Sequence, residues 1–387
     1  MICTAIAAVA ALGIALTAAA CAVAFRRRML VPDEIPDARP TLILPATGPL
    51  PGLEALFDAL LAQTLAPGRL IVAVESQDDP AFARVSELAA RYPALQTELV
   101  VAGISDERAQ KCTNLLAAMA RLGPADSYIV LIDADIRPQP WWLAALTAPL
   151  AAGRADIVNG YSWQMPQSIS LATAIGATID RALATMPRLD RFRLLSGASL
   201  GLTRGALELI DAPASLAHTL SDDLAIASRA AALRLRVVTR RALRVPTPLD
   251  GTLVALWRFG RRQYQIAHIY RPAAWWFALI VMTADLGARV TLVAGACALD
   301  PLAIGALAGL GVLGSVATEV RRTIGRRLAV IDPPGFALAQ HLLVWATLPL
   351  AAFHASIVWA AAVRSPVAWA HVRYTIRRGR VVAASRS

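Results

Sequence analysis

Tyr128-Ile129-Val130-Leu131-Ile132-Asp133-Ala134-Asp135 is the stretch that decides the fold. A short apolar run followed at once by two carboxylates predicts a buried strand that ends at a polar edge. Strand-like and helical patterns alternate upstream of it, at 40–45, 53–63, 70–74, 82–92, 97–101 and 114–122. This alternation predicts an α/β domain with a largely parallel sheet.

Acidic residues follow two of the predicted strands, in 75–79 and in Asp133-Ala134-Asp135. Ligands of open parallel sheets bind at the carboxyl ends of the strands, so these acids stand where a ligand is expected. Asp133 and Asp135 have the oxygen ligands that a hard divalent cation prefers, and such a cation bridges to substrate phosphates. An Asp-x-Asp pair is common in loops, and its place after a buried strand is what favours a metal site.

Asp222 and Asp223 precede a helical run at 224–233. One carboxylate at this position caps a helix. A second acid is more than a cap needs, and near a bound sugar it can accept the proton of an acceptor hydroxyl as a general base. Both interpretations are open from the sequence.

Lys111 is the only lysine among 38 basic residues. A compact ammonium differs from a guanidinium in reach and geometry. A contact to phosphate would explain why lysine stands here, and chance retention is the alternative.

The composition indicates a membrane protein. The chain is 57% hydrophobic, and its long apolar stretches lie at 5–25, 273–299, 301–320 and 336–363. Each is close to the roughly 20 residues that cross a hydrocarbon core. We therefore predict an N-terminal transmembrane anchor (1–25), a catalytic domain (26–250), an interfacial arginine-rich segment (251–272), and a C-terminal transmembrane region with a basic tail (273–387).

Arginines predict the orientation. The cluster Arg26–Arg28 follows the first apolar run, whereas a secretory signal carries its charge before that run. The positive-inside rule then places the catalytic domain in the cytoplasm. One crossing by 336–363 would put the basic tail outside, while a re-entrant hairpin, which Pro349 permits, keeps it inside. The number of crossings is open, as is whether Asp285 and Arg289 pair within a span or contact substrate.

The net charge of +11 and the four cysteines limit the partners. Arginine clusters beside the apolar stretches suit anionic lipid surfaces, and no nucleic-acid-binding fingerprint appears. The cysteines lack metal-ligand spacing, so neither a zinc site nor a disulfide framework is predicted.

The motifs together resemble the ceramide glucosyltransferases and related bacterial lipid glycosyltransferases of families 21 and 2. Three segments carry acidic motifs: 75–81, Asp133–Asp135 with Pro138 and Trp141, and 220–224. Lys111-Cys112-Thr113-Asn114-Leu115 matches the family's Lys-x-x-Asn-Leu, and 196–199 matches its acceptor-side Gly-x-Ser. The final (Gln/Arg)-x-x-Arg-Trp motif is met by Arg258 and Arg261, but Arg262 replaces Trp, which leaves the acceptor undefined. Residues 369–374 are similar, less closely, to a Trp-Arg-Gly-x-x-Tyr tail.

This resemblance implies a GT-A fold (Rossmann-like), a UDP-sugar donor, a Mg²⁺ or Mn²⁺ ion and inversion at the anomeric carbon. It implies Asp223 as the base with Asp222 beside it, Asp133 and Asp135 as metal ligands, and Gly197 and Ser199 on the acceptor side. The remaining implied residues bind the nucleotide-sugar: Glu75, Asp79, Lys111, Asn114, Asp133, Arg258, Arg261 and Arg262.

The implied protein transfers a hexose to a membrane lipid, of ceramide or hopanoid type, at the cytoplasmic face of a bacterial-type inner membrane that it crosses several times. A polysaccharide synthase of the same fold is one alternative, although it usually has more spans and an intact final motif. A catalytically inactive lipid-binding homologue is the other, although it would be expected to have lost acids that this chain retains.

Overall fold

The computed structural model describes residues 1–187 and 194–386. The chain forms two compact units. The sheet unit consists of Met29–Ser162, Leu189–Thr247 and Ser365–Ser387, and the helical unit consists of Met1–Arg28, Trp163–Arg188 and Pro248–Arg364. The sheet unit therefore includes the C-terminal residues, which the sequence had grouped with the transmembrane region.

A seven-stranded sheet in the order β3-β2-β1-β4-β6-β5-β7 confirms the predicted α/β fold. Strands β1 to β4 pair in parallel, and β6 pairs antiparallel with β4 and β5. The strands are β1 Thr41–Pro45, β2 Arg69–Val74, β3 Thr97–Val101, β4 Tyr128–Ile132, β5 Ile157–Pro166, β6 Ser199–Thr203 and β7 Val237–Leu249.

Helices flank this sheet and bury its apolar strands. They are α2 Leu53–Leu61, α3 Pro80–Arg91, α4 Gln110–Met119, α5 Trp142–Ala151, α7 Arg204–Ile210, α8 Ala212–Ser215 and α9 Asp222–Ala232, with a short 3₁₀ turn at Pro93–Leu95. Leu42 and Leu44 of β1, Val72 of β2 and Val130 of β4 are fully buried in one apolar core. Because both faces of a parallel sheet are covered, its strands carry near-continuous apolar runs.

The last residues of the sheet unit form a separate antiparallel sheet of three strands. It consists of β8 Val367–Trp369, β9 Val372–Arg377 and β10 Arg380–Arg386, in the order β10-β9-β8. Val372, Tyr374 and Ile376 are buried on one face of β9, while the residues between them are exposed. This alternation is the pattern of a strand with one covered face. The basic tail predicted from the sequence is thus a folded element, which we call the C-terminal sheet.

Among the residues that the structure describes, the helical unit contains three helices long and apolar enough to cross a membrane. They are α1 Ile2–Arg27, α11 Pro272–Cys297 and α12 Pro301–Arg327. Alanines dominate the packing of α1 against α11 and α12, including Ala11 and Ala303. Small side chains let helix backbones approach closely, which is how transmembrane helices pack. Within α11, Arg289 Nε donates to Asp285 Oδ2 at 2.9 Å, so the two charges form the internal pair.

The last apolar stretch forms two short helices, α13 Phe336–Trp345 and α14 Thr347–Ala360, which meet at 87°. The break lies at Ala346, and Pro349 falls in the first turn of α14. Proline lacks the N–H of a helical hydrogen bond and its ring collides with the carbonyl four residues earlier, here that of Trp345. The proline therefore ends α13 at Trp345, four residues before its own position.

Two further helices complete the helical unit, α6 Leu171–Thr185 and α10 Leu253–Tyr270. Arg181 of α6 is almost completely buried and donates to both carboxylate oxygens of Asp332, at 2.6 and 3.1 Å. Its Nε and Nη2 also donate to the carbonyl of Gln164, and its guanidinium lies over the ring of Trp163. The charge is matched on every side, as a stable buried ion pair requires.

Candidate functional site

Three sequence-predicted residues meet in the sheet unit around the ammonium of Lys111. Lys111 lies in the first turn of α4, Asp133 follows β4, and Asp222 opens α9. The Lys111 Nζ donates to Asp133 Oδ1 at 2.7 Å and lies 3.6 Å from Asp222 Oδ1. We call these three residues the Lys111 cluster. An ammonium has three N–H donors, so two carboxylates do not exhaust it.

Burial and charge shift the pKa values in this cluster in a mutually consistent way. Burial alone would lower the pKa of Lys111, but the charges of Asp133 and Asp222 outweigh it and raise that pKa. Asp222 is only 2% exposed, and burial raises its pKa to about 6 against the lowering effect of Lys111. Asp222 Oδ2 is buried without a hydrogen-bond partner in the described residues. The cluster therefore stabilises the charged form of Lys111 and destabilises the ionised form of Asp222.

Gly197 forms part of the wall around this cluster. A Cβ atom at Gly197 would lie 2.9 Å from Lys111 Nζ and 3.0 Å from Asp222 Oδ2. Contacts this short force one of the polar groups to move, so any side chain here would disturb the cluster. The predicted acceptor-side residue Gly197 therefore lies beside the predicted catalytic acids.

Asp222 and Asp223 occupy different environments although they are adjacent. Asp223 is partly exposed, and its Oδ1 accepts from the backbone N–H of Leu224 at 2.7 Å and from the hydroxyl of Ser221. Ser221 also caps α9 by accepting from Leu224 N–H. The N-cap of this helix is Ser221, and not one of the two acids as one interpretation of the sequence had predicted. The carboxylate of Asp223 is partly exposed, while Asp222 is buried.

Asp133 and Asp135 offer carboxylate oxygens, which are the ligands that a hard divalent cation prefers. Both lie just beyond β4, and Asp135 is exposed. Although Asp135 is exposed, the protein atoms around it partly desolvate its carboxylate, and this effect together with the charge of Asp133 raises its pKa. A bound cation would offset both effects. No cluster of three or more His, Cys, Asp or Glu in metal-binding range occurs in residues 1–187 and 194–386. Two carboxylates suit Mg²⁺ or Mn²⁺ that takes its other ligands from phosphate and water.

Asp79 and Asn114 support the loop that follows β1. Asp79 caps α3 through Ala81 N–H, and it also accepts from Gly48 N–H and the Thr47 hydroxyl, each at 2.8 Å. Asn114 Nδ2 donates to the carbonyl of Ala46 at 3.0 Å, and only 1% of this residue is exposed. Their hydrogen-bonding groups contact other groups of the protein, so their predicted contact with a nucleotide stays a prediction.

Ser199 is fully buried at the start of β6. Its hydroxyl accepts from the indole N–H of Trp142 at 2.8 Å, and a Cβ at Gly160 would collide with it. This placement gives Ser199 a packing role between α5 and the sheet. It does not present the hydroxyl to an acceptor, which differs from the role that the resemblance implied.

Glu75, at the end of β2, is joined by a residue to which the sequence analysis assigned no role. The His371 Nε2 lies 3.0 Å from Glu75 Oε1, and His371 belongs to the turn between β8 and β9. The only sequence signal was the weak tail resemblance at 369–374. Residues 296 positions apart meet here because the C-terminal sheet returns to the sheet unit, and no local pattern encodes that return.

The three predicted arginines lie on α10, in the helical unit. The Arg261 Nε donates to the carbonyl of Ala360 at 3.2 Å, and the guanidinium of Arg262 lies over the ring of Phe259. These contacts place them in the packing of α10, as interfacial anchors would be. That they, together with Arg258, bind a nucleotide-sugar stays a prediction.

Comparison with known proteins agrees with this architecture. The family model described as glycosyl transferase family 21 matches residues 3–382. A mannosyltransferase from Pyrobaculum calidifontis, solved with GDP-Man and Mn²⁺, is 17% identical with a TM-score of 0.51, covering 94% of this chain and 97% of its own. Glucosyl-3-phosphoglycerate synthase from Mycobacterium tuberculosis, solved with Mg²⁺ and UDP, is 16% identical with a TM-score of 0.39, covering 60% and 79%. No curated protein matches the chain. At this level of identity the first likeness shows the GT-A fold.

Proposed function

Because the chain belongs to glycosyl transferase family 21, we propose that it transfers a hexose from a UDP-sugar to a membrane lipid of ceramide or hopanoid type, at the cytoplasmic face and with inversion. The Lys111 cluster carries this proposal. It brings a fixed cation, one strand-end carboxylate and one helix-start carboxylate to one edge of a GT-A sheet, where nucleotide ligands bind. Asp135 and Asp223 lie next to these two acids along the chain.

Donor binding follows from the charges at this edge. Asp133 and Asp135 would hold a divalent cation, which when bound neutralises the diphosphate and makes it a better leaving group. The third N–H of Lys111 would donate to a phosphate oxygen while Asp133 and Asp222 hold the ammonium in place. Preorganised charges of this kind act without reorganising during the reaction.

The chemical step is a single displacement. The acceptor hydroxyl loses its proton to the Asp223 carboxylate, its oxygen forms a bond to the anomeric carbon, and the bond from that carbon to the diphosphate oxygen breaks. Asp223 suits the role of base because it is partly exposed, whereas Asp222 is too buried for an acceptor to reach. Asp222 then serves to position Lys111.

The helical unit supports a lipid acceptor and a cytoplasmic site. The Trp275 Nε1 donates to the carbonyl of Val358 at 3.3 Å, so α14 ends beside the start of α11. The Arg327 Nη1 donates to the carbonyl of Arg26, so α1 and α12 end together. A single connector of three residues joins α11 to α12, and because it is so short the two helices run antiparallel. The pair α13–α14 therefore begins and ends at one end of the bundle, which is the geometry of a re-entrant hairpin.

The first experiment measures transfer of label from a panel of radiolabelled UDP-hexoses into extracted lipid, with purified protein in detergent and Mn²⁺. We expect label in the organic phase, loss of transfer in EDTA with recovery on adding Mn²⁺, and a loss of roughly 10²–10⁴-fold in Asp223→Asn. Asp33→Asn, at an exposed acid, is the matched control and should retain full activity.

Transfer that survives EDTA would overturn the metal role, and full activity in Asp223→Asn would overturn the assignment of the base. Label that enters only long water-soluble chains would identify a polysaccharide synthase instead. No transfer of any hexose, with a folded protein that still binds UDP, would favour the inactive homologue.

A further inference from the structure

The C-terminal sheet contacts the sheet unit at the predicted nucleotide-binding edge. The Tyr374 hydroxyl accepts from the backbone N–H of Gln110, the first residue of α4, at 3.0 Å. The Arg386 Nη2 donates to Gln110 Oε1 at 3.0 Å, and its Nη1 donates to Asp106. A backbone hydrogen bond from Val381 to His218 anchors the other side. These contacts fix the C-terminal sheet beside α4, whose next residue is Lys111.

His371 is aimed at Glu75 by this anchoring. The two-residue turn Ala370-His371 joins β8 to β9, and Ala370 takes a left-handed φ of 53°. A carboxylate only accepts hydrogen bonds, so the His371 Nε2 donates to Glu75 Oε1 across 3.0 Å. One of the two Glu75 oxygens is thereby occupied by the protein itself.

The other oxygen of Glu75 is in the opposite state. Glu75 Oε2 is buried and has no hydrogen-bond partner in the described part of the chain. A buried acceptor without a donor is unfavourable, because the oxygen has lost its hydrogen bonds to water. An N–H or O–H of a ligand that reaches it would remove that cost, so this oxygen is an independent indication of a bound group.

We propose that His371 is a specificity-determining residue for the donor base, because it occupies one oxygen of Glu75 and leaves the other for a single ligand N–H. This inference rests on the proposed function, in which Glu75 binds the nucleotide. Uracil presents one ring N–H, flanked by carbonyl groups. Guanine presents a ring N–H and an amino group side by side, a pair that matches both oxygens of a carboxylate. With His371 on Oε1, Glu75 accepts the first pattern and hinders the second.

The test compares UDP and GDP binding to the full-length protein in detergent with Mn²⁺, by calorimetry, in wild type and variants. We expect wild type to prefer UDP, and His371→Ala to reduce the ratio of the two Kd values by roughly tenfold, the effect of about one charged hydrogen bond. His371→Gln keeps an N–H donor and should restore part of the preference. Thr375→Ala, at an exposed residue of β9, is the control and should leave the ratio unchanged.

The outcomes separate this inference from the function on which it rests. If wild type binds neither nucleotide, or if Glu75→Ala leaves UDP binding intact, the proposed donor site is wrong. If wild type binds UDP through Glu75 but His371→Ala weakens UDP and GDP by the same factor, His371 only supports the fold of the site and the inference fails. A preference of wild type for GDP would also overturn it.

Discussion

Two buried charge clusters, one in each unit, are built in opposite ways. In the helical unit, Arg181 makes four hydrogen bonds with its five N–H groups: two go to Asp332 and two to the carbonyl of Gln164, and its plane lies over Trp163. In the sheet unit, Asp222 is buried with one oxygen unpaired and a pKa raised to about 6, while Lys111 is shared between two acids.

This difference separates charged residues that stabilise the fold from charged residues that act on a ligand. A buried ion pair with nearly every hydrogen bond made is stable in one arrangement and has little left to offer a ligand. A cluster with an unpaired oxygen and a shifted pKa is costly to keep, and such costs concentrate at functional sites. The pair of Arg181 and Asp332 should therefore govern stability, and the Lys111 cluster should govern activity.

The largest effect on stability is expected at Arg181. Arg181→Met leaves the partly buried Asp332 carboxylate without its partner. Breaking a fully buried pair on one side costs about 3–5 kcal/mol, which is the upper bound here. We expect a markedly lower Tm by scanning fluorimetry in detergent, with transfer per folded molecule at low temperature little changed.

The double variant Arg181→Met/Asp332→Leu removes both charges and is the control. It should recover much of the lost stability, because no charge of the pair is left without a partner. If the single variant instead lost activity without losing stability, the division between the two clusters would be wrong.

Lys111→Met should show the converse behaviour. Losing the ammonium removes a charged contact to the diphosphate, which is worth about 1.5–3 kcal/mol, so kcat/KM for the donor should fall roughly 10–100-fold. Asp133 would at the same time lose its ion pair with Lys111, which lies 2.7 Å away. Because this carboxylate would then be free to bind Mn²⁺ without competition from the ammonium, half-maximal activity should need less Mn²⁺.

Lys111→Arg separates charge from geometry at this position. A guanidinium keeps the charge, but its planar fork does not fit beside Gly197, where the ammonium already lies within 2.9 Å of a Cβ position. We expect little recovery of activity. Full activity in Lys111→Arg would show that a general positive charge suffices and that the lysine stands there by chance.

The sheet and most residues of the Lys111 cluster could be predicted from the sequence, because their signals are local, whereas the pair of Arg181 and Asp332 could not. The strand at 128–132 and the acids that follow it are contiguous in sequence. The apolar run therefore predicted a strand of the α/β sheet, and the place of the acids predicted carboxylates at its edge. The bend before Pro349 followed from a rule about one residue. Lys111 stood out by composition, although its ion pair with Asp133 depends on how α4 meets β4.

The rest depended on contacts between distant segments. Nothing near residue 371 indicates that it returns to Glu75, and nothing near Ser199 indicates that Trp142 covers it. Asp222 and Asp223 are the same residue type at adjacent positions, so only burial separates the positioning acid from the exposed one. Domain boundaries were misplaced for the same reason, since the C-terminal sheet rejoins the sheet unit from the far end of the chain.

The smallest expected effect is a pH-dependent change at Asp222. Its folded pKa, near 6, lies above its ordinary value of 3.8, so the folded protein binds this proton more readily than the unfolded chain does. The ionised carboxylate therefore destabilises the fold. This cost is absent below about pH 4, grows between pH 4 and pH 6, and is fully present above pH 6. Asp222→Asn, which cannot ionise, should be more stable than wild type at pH 7.5 by on the order of 1–3 kcal/mol.

The measurement is the difference in Tm between Asp222→Asn and wild type from pH 4.5 to pH 8. We expect that difference to be smallest at the acid end and to reach its full positive value above pH 6. Donor binding should weaken, because Lys111 loses one of the two carboxylates that hold it. Asp33→Asn, at an exposed acid, should show no such trend. A variant that is less stable than wild type at pH 7.5 would mean that the Asp222 carboxylate is well satisfied, and the contrast with Arg181 would then disappear.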